Sequence, residues 1–149
     1  MIIRRATEGD AARGCWLLRR SFAELCGRDH LWDPVRIQEG IAEKTPENWH
    51  QWVNSTSADL YVAETAAALV GVGLLTHRGE IILNHVCPDH RFRGISKGLL
   101  AHMECEGRML GLVFCYVGST RTAMSFYQSA GYMPVPDSIT SERMRKRIC

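Results

Sequence analysis

The residue types that carry chemistry concentrate in one stretch, ILNHVCPDHRFRGISKGLL, at positions 82–100. An apolar run leads into a turn that holds Gly94 with Arg91, Arg93 and Lys97 around it. Beyond the turn, Leu99, Leu100, Met103 and Leu110 repeat at helical spacing. A loop entering a helix leaves the backbone N–H groups of about four residues without intrahelical partners, pointing outward at the positive end of the helix dipole. Cations around such a turn make phosphate the natural ligand. Neither G-x-x-x-x-G-K-[ST] nor G-x-G-x-x-G occurs, which disfavours ATP and NAD. The competing account is a turn that Gly94 merely permits, with solvated basic residues.

His85, Cys87 and His90 form an H-x-C-x-x-H pattern that invites a metal. No fourth ligand lies nearby and Pro88 bends the chain between them, so no metal is expected. Cys87 as an acyl-carrying nucleophile lacks a base that the sequence positions beside it.

The elements around this stretch follow from periodicity. Residues 2–6 read as a strand. Thr7-x-x-Asp10 starts a helix whose apolar positions Ala11, Cys15, Leu18, Phe22 and Leu25 form one stripe. Asp33-Pro34 and Thr45-Pro46 each place a capping side chain before a proline, and the second helix carries Trp49, Trp52 and Val53 on one side. Strands are expected at 60–64, 69–75 and 80–86, joined by tight turns and therefore antiparallel. A helix stopped by Gly111, a buried strand at 112–117 and a helix from Ser119 or Thr120 to Gly131 make a parallel crossover. Two last strands fall near 132–135 and 144–148. The sum is an α/β (α+β) domain over residues 1–149, with a mixed sheet and helices on its faces.

The 149 residues carry a net charge of +2 and are 46% hydrophobic, 8% aromatic and 23% charged, an ordinary globular profile. A chain of this length buries roughly two thirds of the surface it exposes when unfolded, so one core suffices. The longest uncharged stretches, 65–77 and 109–120, fall short of the roughly 20 apolar residues of a membrane span. Met1-Ile2-Ile3-Arg4-Arg5 lacks the order of a signal peptide, and a cytoplasmic protein is expected. The six Cys, at 15, 26, 87, 105, 115 and 149, include no C-x-x-C pair and are expected as thiols.

Arg91-Phe92-Arg93-Gly94-Ile95-Ser96, preceded by Val86-Cys87-Pro88, resembles the Q/R-x-x-G-x-G/A pyrophosphate loop of the GNAT superfamily of acyl-CoA-dependent N-acyltransferases. Downstream, Thr120-x-x-Ala123-x-x-Phe126-Tyr127-x-x-x-Gly131-Tyr132 resembles that superfamily's second signature. Ser96 stands where Gly or Ala is usual and Thr120 where Asn is usual. The resemblance implies the GNAT fold, with a mostly antiparallel twisted sheet and a splayed central parallel pair. It also implies acetyl-CoA as cosubstrate, with its arm in the splay.

Under the resemblance, backbone N–H groups near Val86 or Cys87 face the thioester carbonyl. Amides from Arg93 to Lys97, with Arg91, Phe92, Gly94, Ile95 and Ser96 around them, hold the pyrophosphate, and Thr120 and Tyr127 meet the pantetheine arm. Tyr127 takes the position that protonates the departing thiolate, a phenol with a reference pKa of about 10 being protonated at neutral pH. On spacing alone it is equally a core aromatic among Ala123, Phe126 and Ala130. Glu80 stands where some members carry a catalytic glutamate. Alternation places positions 80, 82, 84 and 86 on one face, so that Asn84 orders a relay water for Glu80; the alternative is a glutamate that merely ends a turn. Asp29, His30, Trp32 and Trp49 are the candidate acceptor pocket, although tryptophans at helical spacing more often belong to a core.

The expected reaction is acetyl transfer to a primary amine of a small molecule or peptide by direct attack. The rivals are a silent acyl-CoA-binding sensor and an acetylase of aminoacyl-tRNA. The last is suggested by Arg143, Arg145, Lys146 and Arg147, whose alternation fits an edge strand with a solvated basic face, so nucleic acid is disfavoured. A homodimer is left open.

Overall fold

The computed structural model describes residues 1–25, 33–119, 123–136 and 143–149. Its strands are β1 (Ile2–Arg5), β2 (Ala58–Glu64), β3 (Leu69–Thr76), β4 (Glu80–Val86), β5 (Phe114–Gly118), β6 (Met133–Pro134) and β7 (Arg143–Arg147). The helices are α1 (Ala11–Leu25), α2 (Pro34–Ala42), α3 (Pro46–Val53), α4 (Ile95–Met109) and α5 (Met124–Ser129). The strands form one seven-stranded sheet in the order β1-β2-β3-β4-β5-β7-β6, antiparallel except for the β4–β5 pair. Among the described residues no helix is long and apolar enough to cross a membrane.

Local chemistry sets the helix starts. Asp33 accepts from the Val35 N–H at 3.0 Å and Thr45 from the Asn48 N–H at 3.2 Å, each before a proline that needs no N–H partner. At α1 the Asp10 carboxylate takes the Thr7 N–H at 2.8 Å, closing a short 3₁₀ turn before the helix proper.

Two cores lie on opposite faces of the sheet. One gathers Ile95, Leu99, Leu100 and Met103 of α4 and Tyr127 of α5 against Tyr61, Leu75, Ile81, Cys115 and Val117. The other packs Cys15, Leu17 and Leu18 of α1 and Trp49 of α3 against Leu60, Val62, Val72, Leu74 and Leu83. Trp49 is therefore core and not the wall of an acceptor pocket. Its indole N–H donates to the Thr7 carbonyl at 2.9 Å, and its ring fills the space that any side chain at Gly14 would need.

Two expectations need correction. β7 is not an edge strand, because it pairs with β5 on one side and β6 on the other, and the two-residue β6 forms the edge. Nor do positions 80, 82, 84 and 86 share a face. Leu74 pairs with Leu83 but Leu75 with Ile81, so Ile82 is a bulge that resets the alternation.

Candidate active site

β4 and β5 pair only through Glu80↔Tyr116 and Ile81↔Val117. Beyond Ile81 the two strands part, and the rest of β4 presents an unpaired edge to the gap. The direction of its amides follows from one bond: the Cys87 N–H donates to the Val70 carbonyl of β3 at 2.9 Å. Successive residues of a strand aim their amides at opposite edges, so Val86 and Asn84 point theirs into the fork. Cys87 is corrected as an oxyanion donor, since its N–H is engaged with β3 and its buried side chain joins the α1-side core.

At the open end of the fork the chain makes a 3₁₀ turn at Pro88–His90 and then two left-handed residues, Phe92 at φ 62° and Gly94 at φ 78°. Gly94 caps α4, and a Cβ built there meets nothing within 4 Å, so the left-handed conformation requires glycine and the space beside it is open. The first intrahelical bond runs from the Gly98 N–H to the Gly94 carbonyl at 2.9 Å, leaving the amides of Ile95, Ser96 and Lys97 at the free N-terminus. A cleft of about 310 Å³ is lined here by Val86, Arg91, Phe92, Gly94, Ile95, Ser96 and Lys97, with His90 and Phe126 besides. Seven of the residues named from sequence thus come together, whereas Arg93 is not among the lining residues. Phe126, an apolar position of the second signature, joins the cleft as well.

Asn84 and Tyr127 meet on the α4 side. The Asn84 amide donates to the Ser96 carbonyl at 3.4 Å and also reaches the Tyr127 hydroxyl, while its buried Oδ1 has no partner among the described residues. Burial raises the Tyr127 pKa and outweighs the smaller opposing effect of Asn84, so the phenol stays a proton donor at neutral pH. The ring is held edge-on by Phe126 and Tyr132, with centroids at 5.1 and 5.5 Å. Tyr127 is thus packed in the α4-side core, next in the chain to the cleft residue Phe126.

Glu80 lies on the other face. It pairs across β5 with Tyr116, and its Oε1 is 3.3 Å from Arg143 Nη2. Asn84 is thus corrected as the residue that orders water for Glu80; it serves the opposite face. A cavity of about 330 Å³ is lined by Glu80, Ile82, Tyr116, Gly118 and Arg143 together with Ile81 and Val117.

His85 turns to the α1 face, with Nδ1 2.9 Å from Ser21 Oγ. Burial, with the charge of Lys44 second, lowers its pKa to about 4 and keeps the ring neutral. Neither Ser21 nor Lys44 is near His85 in the chain, so only the fold brings them together. Among the described residues no group of three metal-ligating side chains occurs. Asp29, His30, Trp32 and Thr120 lie outside the described residues.

The β4–β5 fork opens beside a helix N-terminus suited to an anion, and comparison with known proteins gives the class of the chain. Residues 36–146 match the family model described as "Acetyltransferase (GNAT) domain". The chain belongs to the GNAT acetyltransferase family and is an acyltransferase. Among solved structures it is similar to the PaiA N-acetyltransferase of Thermoplasma acidophilum in complex with coenzyme A, at 17% identity and a TM-score of 0.85 over 98% of each chain. A GCN5-related N-acetyltransferase of Rhodopseudomonas palustris matches at 19% identity and 0.84, covering 98% of this chain and 94% of that one. An aminoglycoside 6'-acetyltransferase type Ii matches at 19% identity and 0.73, covering 100% of this chain and 98% of that one. At these identities the likeness is one of fold. No curated protein sequence matches the chain.

Proposed function

We propose that the protein transfers an acetyl group from acetyl-CoA to a primary amine by direct attack, without an acyl-enzyme. The observation that carries this reading is the unpaired edge of β4, whose Asn84 and Val86 amides lead from the helix N-terminal cradle toward Tyr127. The donor set fits coenzyme A. The amides of Ile95, Ser96 and Lys97 with Arg91 suit a pyrophosphate, and the unpaired Asn84 Oδ1 suits an amide N–H of the pantetheine arm. Left unmet, such a buried oxygen costs about 1–3 kcal/mol.

Each residue then has a task set by its face. The fork amides polarise the thioester carbonyl and stabilise the oxyanion that forms on attack. Tyr127 donates its proton to the departing thiolate, whose conjugate acid has a pKa of about 8.5. The incoming ammonium, with a lysine-like pKa near 10.4, must lose a proton at a cost of about 4 to 5 kcal/mol at pH 7. Glu80, on the opposite face, receives that proton through water.

The test is the release of free CoA thiol from acetyl-CoA with a panel of primary amines. Acceptor-dependent release is expected, with acetylated amine as coproduct in equal amount. Acetyl-CoA binding without turnover on any amine would make the protein a sensor.

A further inference from the structure

The Arg143 to Arg147 strand has a place in the site that its sequence did not reveal. Across β5 and β7, Phe114 pairs with Arg147, Tyr116 with Arg145 and Gly118 with Arg143. These six residues share the face that carries Glu80. Met144 is buried on the other face and Lys146 binds Glu104 there at 3.0 Å. Helices α1 and α3 pack over β2 to β4, and among the described residues no helix covers β5 or β7 on this side.

The arginines are organised. Arg143 Cζ stands 4.8 Å from the Tyr116 ring centroid and Arg145 Cζ 4.3 Å from that of Phe114. A guanidinium stacked on a ring uses its flat face and leaves its N–H edge free for a planar anion. Arg143 is paired with Glu80, and Arg147 donates to the Cys149 carbonyl at 2.8 Å. Arg145 has no ion-pair partner among the described residues. Arg143 therefore shares the cavity where the fork opens with Glu80, and Arg145 stands next along the same face, opposite the cavity residue Tyr116.

We propose that the acceptor is a small amine carrying a carboxylate, which Arg145 and Arg143 receive on this face while Glu80 meets the amine. The proposal rests on the acetyl-transfer reading and narrows its acceptor. A polycation gains at Glu80 but is repelled by the arginines, whereas an amino acid places each of its charges beside an opposite one.

The test compares kcat/KM for glutamate, glutamate diamide, 2-aminoethyl phosphate and spermidine with wild type, Arg145→Gln and Arg143→Gln, each variant checked for unchanged acetyl-CoA affinity. Glutamate is expected to exceed its diamide and spermidine by at least tenfold. Arg145→Gln should bring the glutamate to diamide ratio within threefold of one, through KM. Phosphate amine outranking glutamate, a wild-type ratio near one, a preference for spermidine, or a ratio that survives both substitutions overturns the proposal. So does binding of an RNA oligonucleotide that displaces glutamate. Absence of turnover on every amine would instead refute acetyl transfer. Calorimetry of glutamate in the presence of CoA then still decides the acceptor class: binding that Arg145→Gln abolishes supports it, and no binding refutes it.

Discussion

The two faces of β4 are built from different materials. In the fork and on the α4 side the groups that would hold the cosubstrate are mostly backbone: the amides of Asn84 and Val86 at the strand edge and those opening α4, with Tyr127 and the Asn84 side chain added. On the other face the groups proposed to meet the acceptor are side chains from separate segments, Glu80 of β4, Tyr116 of β5 and Arg143 and Arg145 of β7. Backbone groups need only a conformation, so they survive wide change of sequence and leave a short motif behind. Side-chain sites need distant residues to converge and leave no local pattern.

The largest effect that would sharpen this contrast is chemical. Tyr127→Phe removes one hydroxyl and keeps the ring packed on Phe126 and Tyr132, so fold and acetyl-CoA affinity should persist while kcat falls by roughly 10² to 10⁴. Because burial raises the Tyr127 pKa, the wild-type rate should decline only above the usual tyrosine value near 10, and that decline should vanish in the variant. The rise at lower pH, from deprotonation of the amine, should remain. Near-normal turnover would reduce Tyr127 to a core residue.

A stability experiment separates the faces differently. Asp10 anchors the start of α1, with Arg4 at 2.9 and 3.0 Å and Arg13 at 2.9 Å, and chiefly the Arg4 bonds lower its pKa from 3.8 to about 2. A carboxylate whose pKa is lowered in the folded state stabilises above its unfolded value and loses that contribution as pH falls from about 4 to 2. Asp10→Asn should therefore cost about 2 kcal/mol in denaturant titration at pH 7, with the gap closing toward pH 2. Acetyl-CoA affinity of the folded variant should not change, because the anchor belongs to the α1 side. A change in affinity would mean that the two faces are coupled.

Arg91→Ala probes the minor, side-chain part of the cosubstrate site. The guanidinium stands 4.7 Å from the exposed Phe92 ring and the amides of α4 remain, so the loss should stay below about tenfold and shrink with added salt. A larger, salt-independent loss would show that the loop relies on its side chains.

Legibility in the sequence follows the same division. The strand from Glu80 to Val86, the caps at Asp33 and Thr45 and the turn at Gly94 were readable because each depends on neighbours in the chain. The bulge at Ile82 was not, since it is defined only by the pairing of its neighbours with Leu74 and Leu75, and it puts Glu80 and Asn84 on opposite faces. The alternating arginines after Glu142 read correctly as a strand, but pattern alone did not place β7 between β5 and β6. Trp49 matched both a core and a pocket by spacing, and only the fit against Gly14 separates them.

Calorimetric titration of acetyl-CoA into wild type and Gly94→Asp asks whether the start of α4 is a backbone-built cradle for acetyl-CoA. The substitution puts a carboxylate into the open space beside the amides and strains a left-handed residue at φ 78°. Binding at one site in the wild type, weakened at least tenfold or about 1.4 kcal/mol in a folded variant, is the predicted result. Equal affinity in a folded Gly94→Asp would contradict it and place the cosubstrate elsewhere.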